Sequence, residues 1–445
     1  MRKLSLSIFE LLVIFCLLEG CQDKELAVVP SLPKIPCSAS YSFGYTNKVS
    51  YYPGDVVKAY LQSIDNVPSC KLDIFKLTGE LAFSVPTSLA VQKLIEKDPS
   101  VNGYGFFPTV EIELPLDLKS GIYLIEHQSP FVVKTRDPLD VLVIYPSNTA
   151  NAYSYSGGKS LYSVENKPSF VSFLRPIPIP RLAEFGLKWF STLQNVNVGF
   201  ATDIDMDDYA AIRNAKILVI VGHSEYWTRR GREHFDKFVL EGGNALVLSG
   251  NTMWWQVRYS ANYDKLIRYY GNDPEPNPLL KTINWSERSL QYSIVSSIGA
   301  DFPHGGYGLK TDNGWDGYKI MSPDSPLLEG TGFRKGDIMS LPSGEYDGAP
   351  IKGFDNDQFP ILDLDSLQFS KIELIGFDKG SRFDKETIGT FIVFKRTETS
   401  GIVVNGASYD WCSLKGMGGQ DGDKIQRITR NAIDKLLNGK PIFSK

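Results

Sequence analysis

AKILVIVGHSEYWTRRGREHFDKFVLEGGNALVLSGNTMWWQVRY, Ala215 to Tyr259, opens on a buried strand and closes on a pair of tryptophans. Ile217 to Val221 is a continuous apolar run rich in β-branched residues, as a strand covered on both faces would be. Gly222-His223-Ser224-Glu225-Tyr226-Trp227 then places an imidazole, a carboxylate, a phenol and an indole in one turn. Phe235, Phe238 and Val239 recur at helical spacing, and Gly242-Gly243 stands where a helix stops. A second buried run, Ala245 to Leu248, ends in Ser249-Gly250-Asn251, with Trp254 and Trp255 just beyond. The unit is strand, loop, helix, strand, loop. In open α/β sheets ligands sit beyond the carboxyl ends of parallel strands, where two such loops meet. The plainer alternative is that His223 and Glu225 cap the helix and the tryptophans fill a core.

Working outward, Asp140 to Tyr145 is another apolar β-branched strand, followed by a loop rich in tyrosine, asparagine and glycine that holds Tyr153, Tyr155 and Tyr162. Leu182 to Leu193 reads as an amphipathic helix and Val196 to Phe200 as a strand. The aspartates from Asp203 to Asp208 alternate like a calcium loop, but the required glycine and terminal glutamate are missing. Asp205 as a helix N-cap is the better account. The alternation of strands and helices predicts a doubly wound α/β domain over residues 138–440. From Tyr259 to about Asp384 the pattern is loops and short strands, and Asp423 to Leu437 closes the chain as an amphipathic helix.

Upstream, residues 37–135 alternate short strand patterns with turns, which predicts an all-β sandwich of immunoglobulin-like type. Cys37 and Cys70 both lie in this stretch, and a disulfide between them is the favoured reading. Residues 22–36, with three prolines, read as a linker. Residues 1–21 read as a signal peptide: Arg2 and Lys3, then an apolar run from Leu4 to Leu18, then Leu18-Glu19-Gly20-Cys21. That ending is similar to a bacterial lipobox, whose cysteine is acylated; plain secretory cleavage is the alternative. The expected location is a bacterial cell envelope, periplasm or outer membrane, with a lipid anchor at Cys21. The chain carries 47 Lys and Arg against 51 Asp and Glu, well mixed, so it shows no nucleic-acid footprint.

Several of these pieces together resemble the C-terminal domain of the large (β) subunit of N,N-dimethylformamidase. They are Gly222-His223-Ser224-Glu225-Tyr226-Trp227, Gly242-Gly243-Asn244, Ser249-Gly250-Asn251 with Trp255, Ala152-Tyr153, Ser160-Leu161-Tyr162 and Arg175-Pro176. Glu345 in Gly344-Glu345-Tyr346-Asp347, Trp411 after Asn405-Gly406, and Arg427-Ile428-Thr429-Arg430-Asn431 follow in the same order. The resemblance spans about Leu139 to Gly439. It implies a glutamine-amidotransferase-like α/β domain and a mononuclear iron held by two tyrosines and a glutamate. Glu225 matches the glutamate and Tyr153 one tyrosine. For the other, Tyr162 and Tyr155 both stand near and Tyr162 is taken as the ligand, while Ile177 occupies the position after Arg175-Pro176 where a tyrosine would be expected. His223 and Glu345 match the neighbouring histidine and second glutamate, the expected catalytic pair.

The resemblance further implies hydrolysis of a small-molecule amide, with Trp227, Asn251, Trp254 and Trp255 expected to bind the substrate. A small partner subunit is implied by the family; a homo-oligomer is left open. Two other readings compete. One is an inactive surface lipoprotein that binds a ligand or carbohydrate across its tryptophans. The other, a serine hydrolase through Ser249, lacks the preceding glycine of a nucleophile elbow.

Overall fold

The computed structural model describes residue 33, residues 35–308 and residues 314–444. The signal segment, Cys21 and most of the linker lie outside the described residues. Among the described residues, no helix is long and apolar enough to cross a membrane.

The N-terminal unit is two facing sheets. One contains Tyr41–Thr46, Val56–Ser63 and Val110–Glu113; the other contains Ser50–Tyr51, Ser129–Val133, Gly121–Ile125, Val67–Lys76 and Leu81–Leu89. Val56–Ser63 buries every second residue, the period-two pattern of a strand with one face on a core. Leu72, Ile74, Ile112 and Phe131 meet between the sheets, and Cys37 and Cys70 are joined there as a disulfide. His127 stacks on Phe75, an ordinary packing role.

The larger unit is built on one long mixed sheet. Its spatial order begins Val198–Thr202, Leu139–Tyr145, Ala215–Gly222, Asn244–Ser249 and Ile402–Asn405, all parallel. It continues with Lys385–Lys395, Lys371–Arg382, Gly306–Tyr307 and Glu345–Gly348, each antiparallel to its neighbour. Helices Arg181–Ser191, Arg229–Leu240 and Gly422–Leu437 cover the parallel half, one apolar stripe each.

This overturns the doubly wound α/β reading. Strand outweighs helix, the sheet is mixed, and smaller sheets flank it. The cause is local. Residues 371–395 form one long hairpin turned at Phe383-Asp384, whose φ values of 49° and 60° are those of a two-residue primed turn. That turn lacks glycine and asparagine, so the sequence shows a closing strand over Thr390 to Lys395, which the second arm contains, but not the first arm or the turn. Asp205 also departs from expectation. Its carboxylate accepts from Thr202 and Ser50 and pairs with Lys134, tying the two units together, while Asp208 caps the short helix Tyr209–Ile212.

Candidate active site

The carboxyl ends of the parallel strands converge as such sheets require. Strand Leu139–Tyr145 leads into helix Ser147–Tyr153, strand Ala215–Gly222 into His223 and Glu225, and strand Asn244–Ser249 into Gly250 and Asn251. Glu345 arrives from the antiparallel half at the start of Glu345–Gly348. Two glycines permit the convergence. Gly222 has φ of 69°, and a Cβ there would strike Ala183. A Cβ on Gly250 would lie 2.5 Å from the Tyr409 amide and 2.6 Å from the Glu345 carbonyl. Asn251 and Ala407 hold φ of 50° without being glycine, strain of the kind that collects at functional sites.

Three oxygens meet at the centre. Tyr162 donates to both oxygens of Glu225, at 2.7 and 2.9 Å. Tyr153 donates to Glu225 at 2.9 Å, lies 2.9 Å from the Tyr162 hydroxyl and approaches His223 Nε2 at 3.2 Å. The two phenol rings stack with centroids 4.2 Å apart. Tyr153 is 39% exposed as a residue, yet its hydroxyl is engaged by Tyr162, His223 and Glu225. Burial, followed by the charge of Glu225, holds both phenols well above the usual tyrosine range, so without a cation they stay protonated.

His223 completes the group. A carbonyl only accepts, so the 3.1 Å contact with Gly250 O fixes the proton on Nδ1 and leaves Nε2 facing the site. Nε2 lies 3.3 Å from Glu225 and 3.6 Å from Glu345. Burial alone would lower its pKa, but the hydrogen bond and charge of Glu225, then Glu345, raise it to about 9. Glu345 is raised by burial, against the lowering effect of His223. Its Oε2, like Asn251 Oδ1, is buried without a hydrogen-bond partner in the structure.

The loop carrying the tyrosines is held from below. Arg175 is fully buried, and its guanidinium donates to Asn151 Oδ1 and O, Ser156 O, Lys159 O and Ser172 O. Glu225 itself is positioned through its amide, which donates to Thr149 Oγ1 at 2.9 Å. The N-terminal unit braces the same loop: Asp98 pairs with Lys159, and the Tyr104 and Ser156 hydroxyls bond at 2.8 Å.

Tyr153, Tyr162, Glu225, His223 and Glu345 are thus one cluster, with Asn251 against its edge. The tryptophans are placed differently. Trp227 is 3% exposed in the core, its indole donating to Ser224. Trp254 packs edge-on against Trp255 and Phe302. Arg268 covers Trp255 at 3.4 Å from the ring centroid and stacks on Tyr270 at 3.6 Å. Sequence reasoning missed Tyr409, whose ring meets His223 edge-on, and Arg268, buried and facing the cluster. Neither sits in a motif; only the fold brings them near.

A metal fits this donor set. Oxygens bound side by side to a six-coordinate cation at about 2.0–2.1 Å lie about 3 Å apart, close to the spacing seen here. Phenolate and carboxylate are hard anionic donors suited to a ferric ion. Among the described residues, no group of three or more His, Cys, Asp and Glu is arranged to hold a metal, so any such site rests on the phenols.

No curated protein matches the chain. Residues 86–421 do match a family, described as N,N-dimethylformamidase beta subunit-like, C-terminal. The match starts within strand Leu81–Leu89 and so takes in Asp98 and Tyr104, the residues that brace the tyrosine loop. With three quarters of its length matched, the chain belongs to the N,N-dimethylformamidase beta subunit-like C-terminal family.

Proposed function

We propose that this protein is an exported, iron-dependent hydrolase of a non-peptide carbon–nitrogen bond, cleaving a small amide with water to a carboxylic acid and an amine. The observation that carries the reading is the meeting of Tyr153, Tyr162 and Glu225 oxygens within 2.9 Å beside His223, whose side chain is 10% exposed. Those three residues would hold the iron. When bound, a ferric ion there would polarise an amide carbonyl and acidify adjacent water.

The chain's own groups do the rest. Without a cation, and against the lowering effect of burial, Glu225 keeps His223 protonated at neutral pH. With that carboxylate's charge committed to a cation, Nε2, fixed in direction by Gly250, can take a proton from water. Glu345, raised by burial, keeps its proton to a higher pH than an ordinary glutamate and can pass it to the departing amine. Asn251 offers an amide to Glu345 and so sets that carboxyl's orientation. Trp254 stands on the Phe302 side as an apolar wall. A glycan platform is disfavoured because Arg268 covers the Trp255 face. Export, with lipid attachment at Cys21, belongs to the same proposal, as does the partner subunit that a β-subunit family name suggests.

The test is elemental analysis and a visible spectrum of the purified mature protein, together with amine release from small N-alkyl amides. Iron with a phenolate charge-transfer band and released amine are expected. Protein that stays colourless and metal-free after anaerobic iron loading and reoxidation overturns the reading.

A further inference from the structure

One end of the N-terminal unit carries an apolar surface that the site does not use. Ile35, Ile64, Val91, Leu94, Ile95 and Phe107 are all half or more exposed, with Phe107 at 73%. Hydrogen bonds bring together the segments that carry most of them. The Val91 amide donates to Asn66 Oδ1 at 2.9 Å, beside Ile64. Gln92 and Phe107 exchange two hydrogen bonds, and the Ile95 amide donates to the Tyr104 carbonyl. An open groove of about 540 Å³ runs between Val91, Ile95 and Phe107. Contiguous apolar surface of this kind marks an interaction site. Lys93 and Lys97 alternate there with Asp65 and Glu96, so no single charge selects a charged partner.

What covers it is indicated by where the chain enters. The Lys71 amide donates to the Ile35 carbonyl and the Ile64 amide to the Ser40 carbonyl, so the N-terminal segment joins the fold at this same end. Fully extended, the stretch from Cys21 to Ile35 spans at most about 50 Å. A lipid on Cys21 would hold these side chains within that reach of a bilayer, at a high effective concentration. A lipid on a single residue tethers the chain without fixing its orientation, and a second membrane contact fixes it.

We propose that this end of the N-terminal unit inserts its apolar side chains into the interfacial region of the lipid bilayer. The proposal rests on the lipid anchor at Cys21 but not on the hydrolase reading. Asp98 and Tyr104, which brace the tyrosine loop, follow directly on this surface. Docking therefore turns that side of the site toward the lipid–water boundary.

The test uses the full chain, purified with its lipid and reconstituted into vesicles of phosphatidylethanolamine and phosphatidylglycerol. Leu94→Cys and Phe107→Cys would carry a polarity-sensitive dye, with Val164→Cys and Leu414→Cys as exposed controls and the labelled wild type as blank. Cys412 is buried and should not label. Lipids brominated along their acyl chains should quench the dye at residues 94 and 107 and leave 164 and 414 unaffected. Vesicle-bound protein whose 94 and 107 labels report water overturns the docking while leaving the anchor standing. Protection of those labels by a co-purifying protein overturns it in favour of a partner subunit. Protein recovered wholly in the soluble fraction overturns both docking and anchor, without bearing on the iron site.

Discussion

The Tyr162 hydroxyl contacts both oxygens of Glu225, at 2.7 and 2.9 Å. Ile177 packs in the same small apolar cluster as Tyr162, so the phenol reaches the carboxylate from a different part of the chain than the Arg175-Pro176 motif suggests. Tyr155 is 60% exposed and makes no contact with Glu225 among the described residues. Tyr162→Phe should therefore remove or strongly shift the charge-transfer band of iron-loaded protein, and Tyr155→Phe should leave it unchanged. The reverse pattern in visible spectra would hand the ligand role to Tyr155.

Arg175 should matter as much for the site as for the fold. Burial lowers its pKa to about 10, so it remains charged at neutral pH, and it makes no ion pair among the described residues. Its donors go to Asn151 in the helix that ends at Tyr153, to Ser156 and Lys159 in the loop between the two tyrosines, and to Ser172. In Arg175→Ala, the carbonyls of Asn151, Ser156 and Lys159 lose their donor, each at about 1–3 kcal/mol when buried. A loss of several kcal/mol in urea unfolding is expected, with weaker iron retention. Arg175→Lys should recover part of the stability but less of the iron, since an ammonium cannot reproduce the planar fork. Unchanged iron affinity in both variants would reduce Arg175 to a structural residue.

How much of this was legible beforehand follows from which interactions are local. The strand, loop and helix from Ala215 to Leu248 were readable because buried parallel strands and helices have sequence periods of their own. His223 and Glu225 stood out because they follow directly on such a strand. Of the antiparallel half only the end of one strand, Thr390 to Lys395, was readable. Its hairpin turns on Phe383-Asp384, residues that give no turn signal, and Lys385–Lys395 carries charged residues at its start. Glu345 drew notice only through family likeness. Tyr409, Arg268 and the Asp98 and Tyr104 brace depend on contacts between segments far apart in sequence, which no local pattern encodes.

The Cys37–Cys70 disulfide closes a loop of sequence separation 33 within the N-terminal unit. Chain-entropy arguments put a crosslink of that span at about 3–4 kcal/mol. Cys37→Ala with Cys70→Ala should lower the urea midpoint of the transition that includes the sandwich by a corresponding amount. Because Asp98 and Tyr104 brace the tyrosine loop, iron retention should fall as well. A variant with unaltered stability would mean the fold of this unit does not depend on the crosslink.

Asp203 gives a pH dependence whose sign can be worked out. It is buried with one oxygen unpartnered, and burial, with Asp205 nearby, pushes its pKa up to about 8 against the opposing Asn148 amide. Below the ordinary aspartate pKa of about 3.9 both folded and unfolded chains hold the proton. As pH rises the unfolded chain releases it first, so this group's contribution to stability is full in acid and lost by about pH 8. Asp203→Asn keeps an acceptor for the Asn148 amide and removes the charge. It should match wild type near pH 4 and exceed it near pH 8 by a few kcal/mol, an order-of-magnitude figure. Equal destabilisation at both pH values, read from urea midpoints, would show that the carboxyl is wanted in its charged form.

The sharpest division lies between holding iron and moving protons. His223 touches the cluster through Nε2 while its Nδ1 is committed to the Gly250 carbonyl, and Glu345 stands behind it at 3.6 Å. Neither contributes one of the three meeting oxygens. His223→Ala and Glu345→Gln should therefore keep iron and colour while turnover falls by about 10²–10⁴, the usual worth of a positioned acid or base. The loss should sit mainly in kcat, since neither change removes the carbonyl's binding position. In Glu345→Gln the alkaline limb of the pH profile should also vanish, because an amide cannot titrate. Glu225→Ala must behave otherwise: removing one of three anionic ligands leaves the cation poorly compensated, and the protein should be colourless. Should His223→Ala also come out colourless and iron-free, the imidazole would have to be counted among the ligands, and Glu345 would be left as the only proton carrier.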